Sequence, residues 1–188
     1  MPLVSRIAQL MLPPAMQVDQ DFSLEGWPWN ESAQAWVEPT AFALLALRKA
    51  GSLVAVPGIA ERIQAGEALV WDRMCDGGGW NYGNKRVFGE HLEPFADVTA
   101  CALLGMHASH QAGKANPSLD RLEGLLRRQS SGLALSLGTL ALAAYGRRTE
   151  EWIDRLIETY AETGFRAEAR SLALSLIALR GEVKVLLS

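Results

Sequence analysis

The stretch GWPWNESAQAWVEPTAFALLAL, residues 26–47, is matched further along the chain by GGWNYGNKRVFGEHLEPFADVTACALLGM, residues 78–106. Each opens with glycine and tryptophan, crosses a polar loop, and ends in an acid, a threonine and a run of small and apolar residues. When the two runs are aligned, Thr40 falls on Thr99. A pattern that recurs in this way indicates a repeated structural unit.

Two weaker copies of the apolar run follow, at residues 131–146 and 171–179. With the two stronger copies they make four segments that are apolar on nearly every side, which is typical of buried helices. Three segments between them carry apolar residues on one face only, at the spacing of an amphipathic helix: 58–74, 118–129 and 150–162. Buried and amphipathic helices therefore alternate along the chain.

Alternating helices of these two kinds predict an all-α fold in two layers, with apolar helices lining the inside. We expect an α/α toroid, or an arc of one, built from helical hairpins as a single domain over residues 1–188. The repeats span approximately 26–74, 78–130, 131–162 and 164–181. Four hairpins are few for a closed ring and would leave apolar flanks exposed. We therefore expect self-association, or a partner chain that completes the ring.

Charge and composition exclude several classes of protein. The chain has 188 residues, a formal net charge of −3 and no clustered basic segment, which argues against nucleic-acid binding. Cys75 and Cys101 form neither a disulfide framework nor a metal-ligand spacing, so we expect a reducing, cytoplasmic setting. No apolar run reaches the ~20 residues of a membrane span, and we predict no transmembrane segment.

Two long loops precede the stronger apolar runs, at residues 14–37 and 75–95. Both exceed the length usual for structureless connections, about a dozen residues, and in hairpin arrays such insertions gather on the binding face. They hold five aromatic residues that we predict to bind a ligand: Trp27, Trp29, Trp36, Trp80 and Tyr82. The tryptophans have a second interpretation, as structural staples between helices, because aromatic rings serve either use.

The motifs GWPW, WVEPTAFALLAL, DGGGWNYGN and PFADVTACALLGM resemble the prenyltransferase/squalene oxidase repeat. That repeat builds the α/α toroids of squalene–hopene cyclase, of related class II terpenoid cyclases and of the β subunits of protein prenyltransferases. The resemblance covers residues 26–106 by motif and 131–179 by pattern. It implies an inner cavity for an isoprenoid or another long apolar ligand, and a tryptophan that packs on the end of a neighbouring helix.

The resemblance also points to two candidate catalytic acids, Glu38 and Asp97. Class II cyclases carry Asp-x-Asp-Asp before Thr-Ala at the head of an inner helix, where the acid protonates an alkene or epoxide. The alignment, which places Trp36 on Phe95, leaves each copy in this chain with one acid before Thr-Ala. An acid at a helix start has a second interpretation, since it caps free N–H groups and meets the helix dipole.

Protein prenyltransferases hold zinc through Asp, Cys and His, and a zinc-bound thiolate is what that chemistry needs. Asp97 and Cys101 are one helical turn apart, and His91 lies in the preceding loop, but the family's Asp-x-Cys spacing is missing. No Asp-rich magnesium motif is present either. We therefore predict no metal and no cofactor.

Two functions remain open from the sequence. The first is a cyclase-like or prenyltransferase-like protein that handles an isoprenoid or another long apolar ligand in its inner cavity. The second is a non-catalytic toroid module that binds a lipid or a partner protein and lacks the family's catalytic acids and zinc site. Turnover that depends on Asp97 would distinguish the first from the second.

Overall fold

The computed structural model describes residues 20–187, which form eight α-helices. Residues 1–19 and Ser188, which belong to the predicted domain, lie outside this description. In chain order the helices are α1 (Val37–Leu53), α2 (Ile59–Asp72), α3 (Ala96–Met106), α4 (Asn116–Leu126), α5 (Gly132–Ala144), α6 (Glu150–Thr163), α7 (Ala169–Leu179) and α8 (Lys184–Leu187). Short 3-10 turns at Ala112–Ala115 and Gly164–Ala167 precede α4 and α7.

Helix accounts for 61% of the structure. Within residues 20–187, the strands are limited to a small antiparallel ribbon in the loop between α2 and α3, made of β1 (Arg86–Val87) and β2 (Glu90–His91). The prediction of an all-α fold is confirmed. Closure of the helices into a toroid stays a prediction.

The helices form two layers that follow their order in the chain. Helices α1, α3, α5 and α7 pack against one another in sequence as one row, which we call the inner layer. Helices α2, α4 and α6 form the second layer, with α2 on α1, α4 on α3 and α6 on α5. The short α8 returns to the first helix of the row and packs against α1. The alternation of two sequence patterns therefore corresponds to two layers of helices.

Burial within the inner layer depends on the place of a helix in the row. Helices α3 and α5 are buried on nearly every side, and a Cβ atom on Gly105 of α3 would lie only 2.9 Å from the Cα atom of Ala41 in α1. The expectation that α1 and α7 are equally buried is wrong, because these two helices lie at the ends of the row. Phe42 on α1 is 36% exposed, and Leu176 on α7 is 59% exposed. The end helices therefore keep apolar side chains at the surface.

The recurring threonine binds the backbone of the recurring tryptophan. The Oγ1 atom of Thr99 accepts a hydrogen bond from the Trp80 N–H at 2.9 Å and donates one to the Trp80 carbonyl at 3.1 Å. Thr40 makes the same two contacts with Trp27, at 3.0 and 3.4 Å. We call this pair of contacts the threonine bracket. Because it occurs in both copies, the sequence repeat is also a structural repeat.

The glycine before each tryptophan leaves room for the threonine. A Cβ atom on Gly26 would lie 2.6 Å from the Oγ1 atom of Thr40, and one on Gly79 would lie 3.1 Å from the Oγ1 atom of Thr99. Gly79 also has a φ of 82°, a conformation that residues with a side chain rarely adopt. The Gly–Trp opening of each repeat is therefore a requirement of the threonine bracket.

Trp80 connects three helices. Its indole Nε1 donates a hydrogen bond to the Val70 carbonyl, in the last turn of α2, at 2.6 Å. The residue before it, Gly79, donates its N–H to Ser118 Oγ at the start of α4 at 2.9 Å, and the threonine bracket ties the same loop to α3. Trp80 is fully buried, so this side chain is a structural staple between the two layers.

Removing the Thr99 hydroxyl tests the threonine bracket. Thr99→Val leaves the buried Trp80 N–H without its acceptor, so we expect the free energy of unfolding to fall by about 2 kcal/mol in chemical denaturation. Thr40→Val should cost less, because its bracket is only partly buried. The matched control is Thr139→Val, whose buried hydroxyl bonds only the Leu135 carbonyl within α5. If Thr99→Val lowers the free energy of unfolding no more than Thr139→Val does, the threonine bracket does not stabilise the fold beyond an ordinary buried hydroxyl.

Candidate functional site

A cavity of about 500 Å³ lies between the inner layer and α8, and we call it the inner cavity. Apolar side chains from α1, α3, α5, α7 and α8 make up most of its lining, and Lys49 and Arg170 are the charged residues of the lining. Val185 and Leu186 of α8 cover one side of it. The Lys49 ammonium lies 3.5 Å from the Val185 carbonyl, which places it at the junction of α1 and α8.

The face that α1 turns toward the inner cavity follows from helical spacing. Phe42, Leu45, Ala46 and Lys49 all line the cavity, and residues three and four apart share one side of a helix. Glu38 lies one turn before Phe42 and therefore on the same stripe. The stripe carries an acid at its head and apolar groups along its length.

Three charged side chains lie at the head of the inner layer, which we call the mouth. Glu38, Asp97 and Arg170 are each the second residue of their helix, α1, α3 and α7 respectively. The Nη2 atom of Arg170 lies 3.4 Å from Glu38 Oε1, and its guanidinium carbon lies 5.4 Å from the centroid of the Phe42 ring. Since α1 and α7 are the two ends of the row, this ion pair connects the ends. The first and last helices of the inner layer therefore meet at the mouth.

The two predicted catalytic acids both act on Tyr82. The charge of Asp97, followed by burial and then by the charge of Glu38, raises the pKa of the Tyr82 hydroxyl above its ordinary value, because negative charge nearby disfavours the tyrosinate. The Tyr82 carbonyl accepts the N–H of Val37, the residue before Glu38, and the Tyr82 ring lies 5.3 Å from that of Phe95, two residues before Asp97. The structure thus places Tyr82 between the heads of α1 and α3. The capping interpretation applies in part to Asp97, whose Oδ1 atom accepts the Val98 N–H at 2.9 Å.

The residues considered for zinc do not form a ligand set. Cys101 is 1% exposed in α3, and burial raises the pKa of its thiol, which keeps the sulfur protonated and a poor ligand. His91 lies in strand β2, where its Nδ1 atom is 2.5 Å from Asp76 Oδ2. Within residues 20–187, no group of three or more His, Cys, Asp and Glu side chains is arranged to hold a metal ion.

A second cavity, of about 390 Å³, opens beside the mouth and is lined by Trp36, Tyr82 and Phe95 among others. We call it the aromatic cleft. The Tyr82 ring lies 5.8 Å from the Trp36 ring and 5.3 Å from the Phe95 ring, measured between centroids. Trp36 and Phe95 are the residues that immediately precede α1 and α3. The aromatic cleft is therefore built from equivalent positions of the two repeats, with Tyr82 between them.

The predicted ligand-binding aromatics divide into two groups. Trp36 and Tyr82 meet in the aromatic cleft, whereas Trp80 is buried as a staple and Trp27 packs beneath the Arg62 guanidinium, 4.5 Å from its ring centroid. Trp29 is exposed in the first loop. That any of them binds a ligand stays a prediction.

Sequence reasoning did not select Phe95 or Arg170. The signal for Phe95 was available, because the alignment of the repeats places it on Trp36. Arg170 lies in the weakest repeat, at a position where the other copies carry an acid or no charge, so the alignment offered no sign of it. Its pairing with Glu38 depends on how α7 packs relative to α1, which the sequence does not show.

No family model, no curated protein and no solved structure matches this chain. The resemblance to the prenyltransferase/squalene oxidase repeat stays a prediction. Within residues 20–187, no helix combines the length and the apolar character needed to cross a membrane.

The pKa of Tyr82 provides a test of the mouth's electrostatics. In an ultraviolet difference titration, with Tyr82→Phe used to assign the signal, we expect Tyr82 to ionise at a higher pH than an ordinary tyrosine. Asp97→Asn removes the largest cause of the shift, so the pKa should move down toward its ordinary value. Asp154→Asn, on α6, is the control and should leave it unchanged. An unchanged pKa of Tyr82 in Asp97→Asn would show that the charge of Asp97 does not raise that pKa.

Proposed function

We propose that this chain is a helical repeat protein of the prenyltransferase/squalene oxidase type that binds an isoprenoid or another long apolar molecule in the inner cavity. The observation that carries the proposal is the apolar lining of a cavity of about 500 Å³. Ligand sites are commonly concave, mostly apolar and of roughly 300–1,000 Å³. The inner cavity meets each of these conditions.

The distribution of charge in the inner cavity supports a ligand with a long apolar body. Between Arg170 at the mouth and Lys49 near α8, the lining consists of apolar side chains such as Leu104, Leu137 and Leu174. Each methylene group that leaves water for such a lining contributes about 0.8 kcal/mol. A chain of many methylene or isoprene units gains most from this arrangement.

Two contacts support the proposed toroid-like arc. The ion pair between Glu38 and Arg170 joins the first and last helices of the inner layer, and α8 packs back on α1. An arc closed in this way surrounds a central space without needing the many repeats of a full ring. The short chain is therefore compatible with an enclosed ligand.

A cyclase-like reaction at Asp97 is the second candidate function. It is favoured by the position of Asp97 and Glu38 on either side of the mouth, beside Tyr82. Against it, Glu38 is engaged by Arg170, and the family's acid motif keeps one acid per copy. General acid catalysis needs a carboxyl group that can deliver a proton at the reacting atom. Product formation that disappears in Asp97→Asn would establish this candidate, and binding without product would establish a non-catalytic module.

Filling the inner cavity tests the proposed binding site. Ala173 of α7 lines the cavity, so Ala173→Phe should weaken the binding of geranylgeraniol, squalene or palmitate by roughly tenfold or more. Native mass spectrometry of the purified protein measures binding, and gas chromatography measures any product. Ala60→Phe adds the same volume at an exposed position of α2 and is the matched control. Absence of binding to all three molecules, or equal binding by the two variants, would overturn the proposal.

We also propose that the chain self-associates through its exposed end helices. Leu176 and Leu179 of α7 are exposed, as are Ile157 and Tyr160 of the neighbouring α6, and exposed apolar groups concentrated at one end of an array are typical of an interface. The proposed contact extends the array with a second copy of the chain.

Light scattering at micromolar concentration tests self-association. We expect a dimer or a larger species that Leu176→Lys shifts toward monomer, because a charge on an apolar interface is costly to bury. Phe88→Lys, at the exposed turn between β1 and β2, is the control and should leave the mass unchanged. A monomeric wild-type protein would refute the proposal.

A further inference from the structure

The repeat duplicates a pair of functional groups at the heads of two neighbouring helices. Trp36 is followed two residues later by Glu38 at the start of α1, and Phe95 is followed by Asp97 at the start of α3. Tyr82 lies between the two aromatic rings and contacts both. Tyr82 therefore lies between the heads of α1 and α3, each of which carries an aromatic–acid pair. The rings line the aromatic cleft, which is distinct from the inner cavity.

The three rings of the aromatic cleft are held in place by backbone hydrogen bonds. The Trp36 N–H donates to the Trp27 carbonyl at 3.1 Å, and the Phe95 N–H donates to the Trp80 carbonyl at 2.9 Å. The Tyr82 carbonyl accepts the N–H of Val37, the first residue of α1, at 3.1 Å. Each ring is thereby attached to a fixed part of the fold, and a preorganised site loses little conformational entropy when a ligand binds.

The side chain of Asn81 fixes the loop that carries Tyr82. Its amide nitrogen donates to the Asn84 carbonyl at 2.7 Å, and its amide oxygen accepts the N–H groups of Gly83 and Asn84 at 3.1 Å each. Asn81 is 4% exposed. The loop is therefore closed on itself rather than free to collapse into the aromatic cleft.

The rings nevertheless remain exposed to solvent. Trp36, Tyr82 and Phe95 are 38%, 43% and 47% exposed, respectively. Aromatic rings that can pack in a core usually do so, and a cluster of three that stays at the surface on a rigid backbone is typical of a binding platform.

One carboxylate near the aromatic cleft has no cationic partner among the described residues. Arg73, which lines the cleft, is paired with Asp72, and Glu93, which also lines it, is paired with Arg121. Glu38 is paired with Arg170 at the mouth, as described above. The half-buried carboxylate of Asp97 has no cationic partner within residues 20–187. Asp97 does not line the cleft, but it lies two residues after Phe95 and its charge reaches Tyr82, so the unpaired charge next to the lining is negative.

We propose that the aromatic cleft binds a small organic cation with an alkylated ammonium group. The faces of Trp36, Tyr82 and Phe95 would surround the cation, and Asp97 would supply the compensating charge. Alkylammonium ions are attracted to aromatic faces by the ring quadrupole, and they shed water more readily than a compact ammonium group does. This inference concerns a different site from the proposed apolar ligand and does not depend on it.

A comparison of isosteres tests the proposal in the wild-type protein. Choline is titrated against its neutral isostere, in which a carbon atom replaces the nitrogen, with sodium chloride added to match the ionic strength. Isothermal titration calorimetry measures the dissociation constant. We expect choline to bind roughly tenfold or more tightly than the isostere. Equal binding, or no saturable binding of choline, would overturn the proposal.

Variants locate the cation in the aromatic cleft. Tyr82→Leu and Asp97→Asn should each weaken choline binding by roughly tenfold, whereas Tyr82→Phe keeps the ring and should retain most of it. Tyr160→Leu, at an exposed position of α6, is the matched control for the loss of a surface aromatic. Circular dichroism confirms that each variant is folded. Full binding by both Tyr82→Leu and Asp97→Asn would refute the assignment of the site.

Two further measurements distinguish a small cation in the aromatic cleft from a ligand of the inner cavity and from a membrane surface. Ala173→Phe, which fills the inner cavity, should leave choline binding unchanged. Loss of apolar-ligand binding can therefore be distinguished from loss of cation binding. Phosphatidylcholine vesicles present the same headgroup on a membrane. Binding of free choline supports the small-molecule assignment, and binding of the vesicles without any binding of choline contradicts it.

Discussion

The hydroxyl groups of Thr40 and Thr99 anchor the two long loops to the heads of α1 and α3. Each hydroxyl holds the backbone N–H and carbonyl of a loop tryptophan against the first turn of an inner helix. The tryptophan carbonyl in turn accepts the N–H of the residue that precedes the helix, Trp36 or Phe95. The heads of α1 and α3 are therefore attached to their loops at several points, and the aromatic cleft and the mouth lie where those heads meet.

Two further interactions hold the helices of the inner layer together. Small residues allow close packing along the row, as at Gly105 against Ala41, and the Glu38–Arg170 ion pair connects the first helix to the last. The side chain of Arg170 is 44% exposed, so the ion pair is worth little by itself in water. Its significance is geometric, because it joins helices that lie far apart in sequence at the opening of the cavity.

The sequence predicted the class of fold and the alternation of helices, but not the burial of every helix. Apolar runs correctly marked α3 and α5, and one-sided patterns correctly marked α2, α4 and α6, because hydrophobic periodicity reports which faces of a helix avoid water. The same runs overestimated the burial of α1 and α7. A local pattern carries no information about whether a helix lies in the middle of a row or at its end.

The candidate site could be predicted only in part from the sequence. Alignment of the repeats identified Glu38 and Asp97, and the structure places the helix heads that carry them on either side of Tyr82. The roles of the tryptophans could not be assigned in advance, because the sequence does not show which indole ring is buried. Trp80 is fully buried and its indole N–H bonds the Val70 carbonyl, whereas Trp36 is 38% exposed in the aromatic cleft.

Residue-resolved hydrogen exchange of the native protein tests most directly the claim that the threonine brackets organise the fold. The amides of Trp80 and Phe95 lie outside regular secondary structure, where exchange is ordinarily fast. If the bracket opens only with the core, these two amides exchange as slowly as the most protected amides of α3 and α5. Exchange of Trp80 at the rate of an exposed loop residue, while α3 remains protected, would contradict the claim.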